Sequence, residues 1–287
     1  MKKVAIVLSG AGALDGTEIQ EAVIAMLALE RAGAAYECLS IDEECHVVNH
    51  ITGEAIEEKR NVLVESARIA RGEIRDIAHV RADDYAAVII PGGFGVASNL
   101  SSYAAVGVRM AVHPEVHRFL CDARAAGLPL GGICTAPVLL AKLFRDQARV
   151  TIGNDPETAK NIRVMGATHV DCAADEAFND PVNKIVTVPG YMLAQNMAQL
   201  ADGIDKLVAE VLNLASHSML RIALVTPWMP SCHPPRRASR ATPASSPRRA
   251  CRWPPPGSAC AFYWCPYSGC AIGRGNPCTG PSRSMRG

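Results

Sequence analysis

Leu128-Pro129-Leu130-Gly131-Gly132-Ile133-Cys134-Thr135-Ala136-Pro137 is the stretch on which the fold turns. An apolar run ends in a thiol and passes at once into Val138-Leu139-Leu140-Ala141-Lys142, a helical pattern. The reading is a strand, a tight turn and a helix start. The glycines let the backbone turn sharply and let another segment approach closely. Pro137 suits a first helical turn, where its missing N–H has no partner to lose. A thiol at this place faces the positive end of a helix dipole, which favours the nucleophilic thiolate. Cys134 is therefore the candidate nucleophile.

The same alternation runs outward in both directions. Val4 to Leu8 reads as a buried strand, and Thr17 to Ala32 as a helix with apolar residues at Ile19, Ala22, Val23, Met26, Leu27 and Leu29. Gly33 ends it. Tyr36 to Ser40 and Tyr85 to Ile90 are further strands, with a helix between them over Val62 to Arg71. A helix over Val112 to Ala126 precedes the opening stretch. After it come strands at Arg149 to Ile152 and Lys184 to Val188, a helix from Pro156, and a long helix over Leu193 to Leu214. Apolar strands separated by helices predict an α/β fold with a mostly parallel central sheet, covered on both faces. Ligands on such sheets bind beyond the carboxyl ends of the strands, at a switch in strand order. Three glycine-rich loops, Ser9 to Gly16, Pro91 to Gly95 and Gly131 to Thr135, are expected to converge there.

Composition divides the 287 residues into two parts. Residues 217–287 hold ten Arg, twelve of the 19 Pro, six of the 11 Cys, and no Lys, Asp or Glu. Residues 1–216 keep 19 basic side chains against all 28 acidic ones, a net of −9, and are ample for one buried core. Nothing in this acidic domain suggests nucleic acid. The tail has no hydrophobic period and reads as a disordered or out-of-frame extension. The gaps between Cys260, Cys265, Cys270 and Cys278 do not match the close pairs of structural zinc sites. Cys38, Cys45, Cys121, Cys134 and Cys172 are odd in number and scattered, against a disulfide framework. Only five strongly apolar residues follow Met1-Lys2-Lys3, too few for a signal-peptide core or a membrane span, so a cytoplasmic protein is expected.

Gly10-Ala11-Gly12-Ala13-Leu14-Asp15-Gly16 invites a dinucleotide reading, but its third glycine falls one position late and a carboxylate takes its place. Glu18, in the first turn after that loop, points toward the crevice and can hold or relay a proton for Cys134. The backbone N–H groups of Gly93 and Thr135 are the expected oxyanion donors. Gly12, Asn49, His50 and Gly92 are expected to line the site. No metal ligands are assigned.

Several blocks carry a resemblance: Val7-Leu8-Ser9-Gly10, Asp15-Gly16-Thr17-Glu18-Ile19, Asn49-His50-Ile51-Thr52-Gly53-Glu54, Arg60-Asn61-Val62-Leu63, Pro91-Gly92-Gly93-Phe94-Gly95, Gly132-Ile133-Cys134-Thr135-Ala136-Pro137 and Tyr191-Met192-Leu193-Ala194-Gln195-Asn196. Residues 1–216 thereby resemble the ElbB-type glyoxalases, long labelled isoprenoid-biosynthesis proteins. These belong to the PfpI/ThiJ-like, class I glutamine-amidotransferase-like superfamily. The resemblance implies a flavodoxin-like three-layer sandwich with Cys134 as nucleophile and Glu18 as its carboxylate partner. It implies cofactor-free conversion of a small dicarbonyl, glyoxal or methylglyoxal, to the 2-hydroxy acid, with protein deglycation as an alternative use. A homodimer is expected by analogy, with no nucleic-acid or membrane partner. The superfamily's amidotransferases and peptidases place a histidine directly after the nucleophile or late in the chain beside a carboxylate. Here Thr135 follows Cys134, and His169-Val170-Asp171 reads as a surface strand. The other classes to separate from a glyoxalase are a redox sensor or chaperone-like protein using an oxidisable Cys134, and an amidotransferase-like subunit.

Overall fold

Strand β1 (Lys3–Val7) sits centrally because its Val-Ala-Ile-Val run can be buried on both faces, and it is buried from Val4 onward. The structure, a computed structural model, describes residues 2–225, with side chains to 216. After β1 come α1 (Ile19–Arg31), β2 (Tyr36–Ser40), β3 (Glu44–Val48), β4 (Ala55–Asn61) and α2 (Val62–Ile69). Next are β5 (Ile74–Asp76), β6 (Tyr85–Ile90), two single turns α3 (Gly95–Ser98) and α4 (Tyr103–Val106), and α5 (Pro114–Ala125). The opening stretch forms β7 (Leu130–Ile133) and α6 (Pro137–Phe144). Then follow β8 (Arg149–Val150), α7 (Pro156–Val164), β9 (Thr168–His169), β10 (Phe178–Asp180), β11 (Ile185–Val188) and α8 (Met197–Val225).

The main sheet has the order β10-β11-β7-β6-β1-β2-β5. All its neighbours pair in parallel except β10, which runs antiparallel to β11. The α/β sandwich expected from the sequence is what forms. Side chains alternate across β1: Val4 and Ile6 join one apolar cluster with α1 and α8, while Ala5 and Val7 join the other with α5 and α6. The strand order reverses between β1 and β6, so the loops after β1, β6, β7 and β11 open at one end of the sheet.

Helix α1 turns a face to the core that its apolar pattern does not announce. Ile19, Val23 and Leu27 are exposed, while Glu21, Ala22, Ala25, Ala28 and Leu29 are buried. The alanines let α1 pack closely against α8. The hairpin β3–β4 was also not expected, because β4 is charged and exposed along most of its length and carries no apolar alternation. His169 is buried rather than on a surface strand, and its Nε2 accepts from the Ile152 N–H at 3.5 Å. Helix α8 runs on to Val225, past the expected boundary at 216. The rest of the expected tail, with its six cysteines, lies outside the described residues. No helix among the described residues is long and apolar enough to cross a membrane.

Candidate active site

Cys134 closes β7 with φ +60°, a left-handed conformation that costs a non-glycine residue roughly 1–2 kcal/mol. Its own N–H donates to the Val188 carbonyl at 3.0 Å, fixing the turn to β11. The Ala136 N–H donates back to Ile133 at 3.0 Å before Pro137 opens α6. The thiol is thus held at the switch point, 7% exposed.

Two glycines make room for it. A Cβ at Gly92 would stand 2.4 Å from the Cys134 Cβ and 2.7 Å from Glu21 Oε2. A Cβ at Gly190 would stand 2.9 Å from the Cys134 Cβ and 2.5 Å from Glu21 Oε1. The space the glycines leave is filled by the thiol and the carboxylate of Glu21.

Glu21 is fully buried on the core face of α1. Its Oε2 accepts from the Gly92 N–H at 2.8 Å and its Oε1 from the Tyr191 N–H at 3.0 Å. The Cys134 side chain lies beside it, both of them against Gly92 and Gly190. Burial pushes its carboxyl up to about 7, with the charge of Glu18 adding to the rise and the two amides opposing it. Burial also raises the Cys134 thiol well above its usual range, and the neighbouring Glu21 raises it further. The thiolate expected from the helix dipole is therefore not the resting form. Desolvation outweighs the dipole here.

Glu18 takes a different place from the one expected. Its side chain caps α1, with Oε2 accepting from the Glu21 N–H at 2.7 Å. Its own N–H donates to the Gly92 carbonyl at 2.9 Å. Partial burial raises its carboxyl. Position 18 folds back on the first turn of the helix, and position 21 reaches the thiol.

The backbone N–H groups of Gly93 and Thr135 lie beside the Cys134 sulfur, where they favour its thiolate and oppose the rise caused by burial. Gly93, at φ +101°, is pressed by the loop before α1: a Cβ there would stand 2.3 Å from the Gly16 carbonyl oxygen. That loop is held from below by buried hydroxyls. Thr17 Oγ1 accepts from the Ser9 N–H at 2.6 Å, and Ser66 Oγ from the Gly10 N–H at 2.8 Å.

The hairpin β3–β4 holds the loop from the other side. Asp15 Oδ2 accepts from the Val48 N–H at 2.8 Å. His50 Nε2 accepts from the Leu14 N–H at 3.2 Å, so its proton sits on Nδ1, which donates to the Val48 carbonyl at 3.0 Å. A Cβ at Gly12 would stand 2.7 Å from that imidazole. Asn49 Oδ1 accepts from the Ile51 N–H at 2.9 Å and shapes the hairpin turn. Gly12, Asn49 and His50 therefore brace the loop, while Gly92, Gly93 and Thr135 meet Cys134 directly.

Glu21, Gly190 and Tyr191 were missed by sequence reasoning. The available signal was a carboxylate at helical spacing from Ala25 and Ala28, a stripe of small residues that packs closely. Among the described residues no three or more His, Cys, Asp or Glu side chains are grouped to hold a metal ion.

No family model matches the chain. Over 223 residues it is 44% identical to the human glutamine amidotransferase-like class 1 domain-containing protein 3, mitochondrial, covering 74% of this chain and 83% of that protein. Over 223 residues it is 42% identical to the rat ES1 protein homolog, mitochondrial, covering 74% and 84%. Among solved structures, the isoprenoid biosynthesis protein with amidotransferase-like domain from Ehrlichia chaffeensis superposes with a TM-score of 0.68 at 35% identity, covering 74% of this chain and 99% of that one. The resemblance carried by the sequence blocks is borne out. The cytoplasmic expectation is not, because both curated relatives are mitochondrial proteins. A short apolar run bears on secretory and membrane segments and carries no information about an organelle.

Proposed function

Because this chain belongs to the glutamine amidotransferase-like class 1 domain-containing (ES1) family, we propose that it is a cofactor-independent, cysteine-dependent glyoxalase. Its substrate is glyoxal, with methylglyoxal as the next homologue, and its product is the 2-hydroxy acid. One observation carries the reading: the neighbour of Cys134 is a buried carboxyl raised to about 7, and two backbone amides, of Gly93 and Thr135, face the same sulfur. Amide hydrolysis calls for a group that protonates a departing amine. A dicarbonyl has no leaving group and needs only a nucleophile, a proton carrier and a cradle for an oxyanion.

In the first step Glu21, as carboxylate, takes the Cys134 proton while Sγ bonds to one aldehyde carbon. A value of about 7 leaves a large ionised fraction at neutral pH, the condition for an effective base. The aldehyde oxygen takes the electron pair, is held by the Gly93 and Thr135 N–H groups, and recovers the proton to give a hemithioacetal. Glu21 then moves the carbon-bound proton to the second carbonyl carbon through an enediolate. The first carbon is oxidised by two electrons and the second reduced by two, so no outside redox partner enters. Water cleaves the resulting thioester, releasing glycolate and the free thiol. With the thiol only 7% exposed, a free dicarbonyl fits better than an adduct carried on a macromolecule.

The test is a time course of glyoxal loss and glycolate appearance with the purified full chain. Glycolate should form with the parent protein and not with Cys134→Ser. Absence of glycolate from the parent would remove the reading.

A further inference from the structure

We propose that the Thr135 hydroxyl is a positioning residue that locks the two amide donors facing Cys134 into one rigid unit. Thr135 Oγ1 donates to the Gly93 carbonyl at 2.9 Å. The same residue that supplies one N–H to the sulfur therefore holds, through its side chain, the residue that supplies the other.

Gly93 needs such a hold. At φ +101° its backbone has the freedom of glycine and no side chain to pack. The peptide on its N-terminal side is fixed by the Glu18 N–H on the Gly92 carbonyl. The peptide on its C-terminal side is fixed by the Phe94 N–H, which donates to Ala13 at 2.8 Å. That peptide's carbonyl also accepts from the Val96 N–H at 3.2 Å and from Thr135 Oγ1. Of these contacts, only the Thr135 hydroxyl comes from the segment that carries the nucleophile. It ties the loop after β6 to the turn after β7, so the distance between the two donors does not depend on how each loop moves alone. Pre-set donors of this kind need no reorganisation as negative charge develops.

The inference rests on Cys134 being the nucleophile, and its test does not require any substrate. Cys134 in the full chain is labelled with iodoacetamide over a range of pH and its peptide quantified by mass spectrometry, with thermal melting followed in parallel. Thr135→Val keeps the shape and removes the donor. Labelling at a fixed pH below the thiol titration should slow on the order of tenfold, as the titration moves up by about one unit with loss of an aligned amide. Thr135→Ser, which keeps the hydroxyl, should restore the parent profile. Where the valine variant does not fold, Thr135→Ala carries the same expectation. A valine or alanine variant that melts lower but labels with the parent's profile would assign the hydroxyl to stability alone and overturn the proposal. A serine variant that labels as slowly as valine would overturn it too. A shifted labelling profile in a protein that forms no glycolate would sink the glyoxalase reading and leave this one standing.

Discussion

The Glu21 carboxyl and the Cys134 thiol are buried side by side against Gly92 and Gly190, and the charge of the one raises the other. One proton lies between two acids whose values burial has raised, so the thiol's reactivity is set by where that proton sits. The chemistry of the site is the chemistry of this pair.

Cys134→Ser should fold, because the hydroxyl fits the space of the thiol, and should show no glycolate above the uncatalysed rate. An oxygen in this position lacks the acidity to give up its proton to Glu21. Turnover by the variant within a few-fold of the parent would exclude the cysteine from the reaction.

Glu21→Gln and Glu18→Gln separate the two carboxyls. Losing the base in contact with the thiol should lower kcat by about 10²–10⁴-fold. Glu18→Gln keeps a cap acceptor and should lower kcat far less, on the order of tenfold at most. Steady-state kinetics on both variants decide it, and the reverse ranking would return the proton-carrying role to Glu18.

Stability should fall as pH rises toward neutrality. Glu21 is raised from 4.5 to about 7 in the folded chain. Below about pH 4.5 it is protonated folded and unfolded alike. Between the two values the folded chain holds a proton that the unfolded chain has released, so each step up in pH favours unfolding. Through this window Glu21 should withdraw about 3 kcal/mol, complete above pH 7. Urea midpoints measured from pH 5 to 8 should show this slope in the parent and its loss in Glu21→Gln, which does not titrate. Identical slopes in the two proteins would place the titration elsewhere.

His50→Phe tests the brace. Loss of the acceptor for the Leu14 N–H should cost about 1 kcal/mol in a urea titration. Because the imidazole holds the loop and does not face Cys134, kcat should stay within about threefold of the parent. A loss of kcat comparable to that of Glu21→Gln would make His50 a direct participant.

The strand–turn–helix reading around Cys134 was legible because Leu130 to Ile133 is apolar, Pro137 marks a helix start and glycine crowds the turn. β2 and β6 were legible to the residue, β6 because its apolar run ends at Pro91-Gly92-Gly93. The choice between Glu18 and Glu21 was not. Glu18 caps α1 and Glu21 lies in its first turn, three residues on, and what separates them is the rotation of the helix. That rotation is set by alanines packing on α8, residues that contribute little to an apolar count. Ile19, Val23 and Leu27 outweigh Ala22, Ala25 and Ala28 in hydrophobicity and pointed to the wrong face. The brace formed by Asp15 and His50 depends on a hairpin with no apolar alternation, so its contact with the loop had no local sequence signature.

The two groups that hydrogen-bond the Glu21 carboxylate are both peptide N–H groups, at Gly92 and Tyr191. A peptide donor is present whatever side chain the residue carries, proline excepted. Position 191 can therefore change its side chain over generations without deleting the bond that orients the acid. Position 92 cannot, for want of space. A lineage that loses the tyrosine keeps the acid in place, whereas one that adds a single methyl group at residue 92 must rebuild the site.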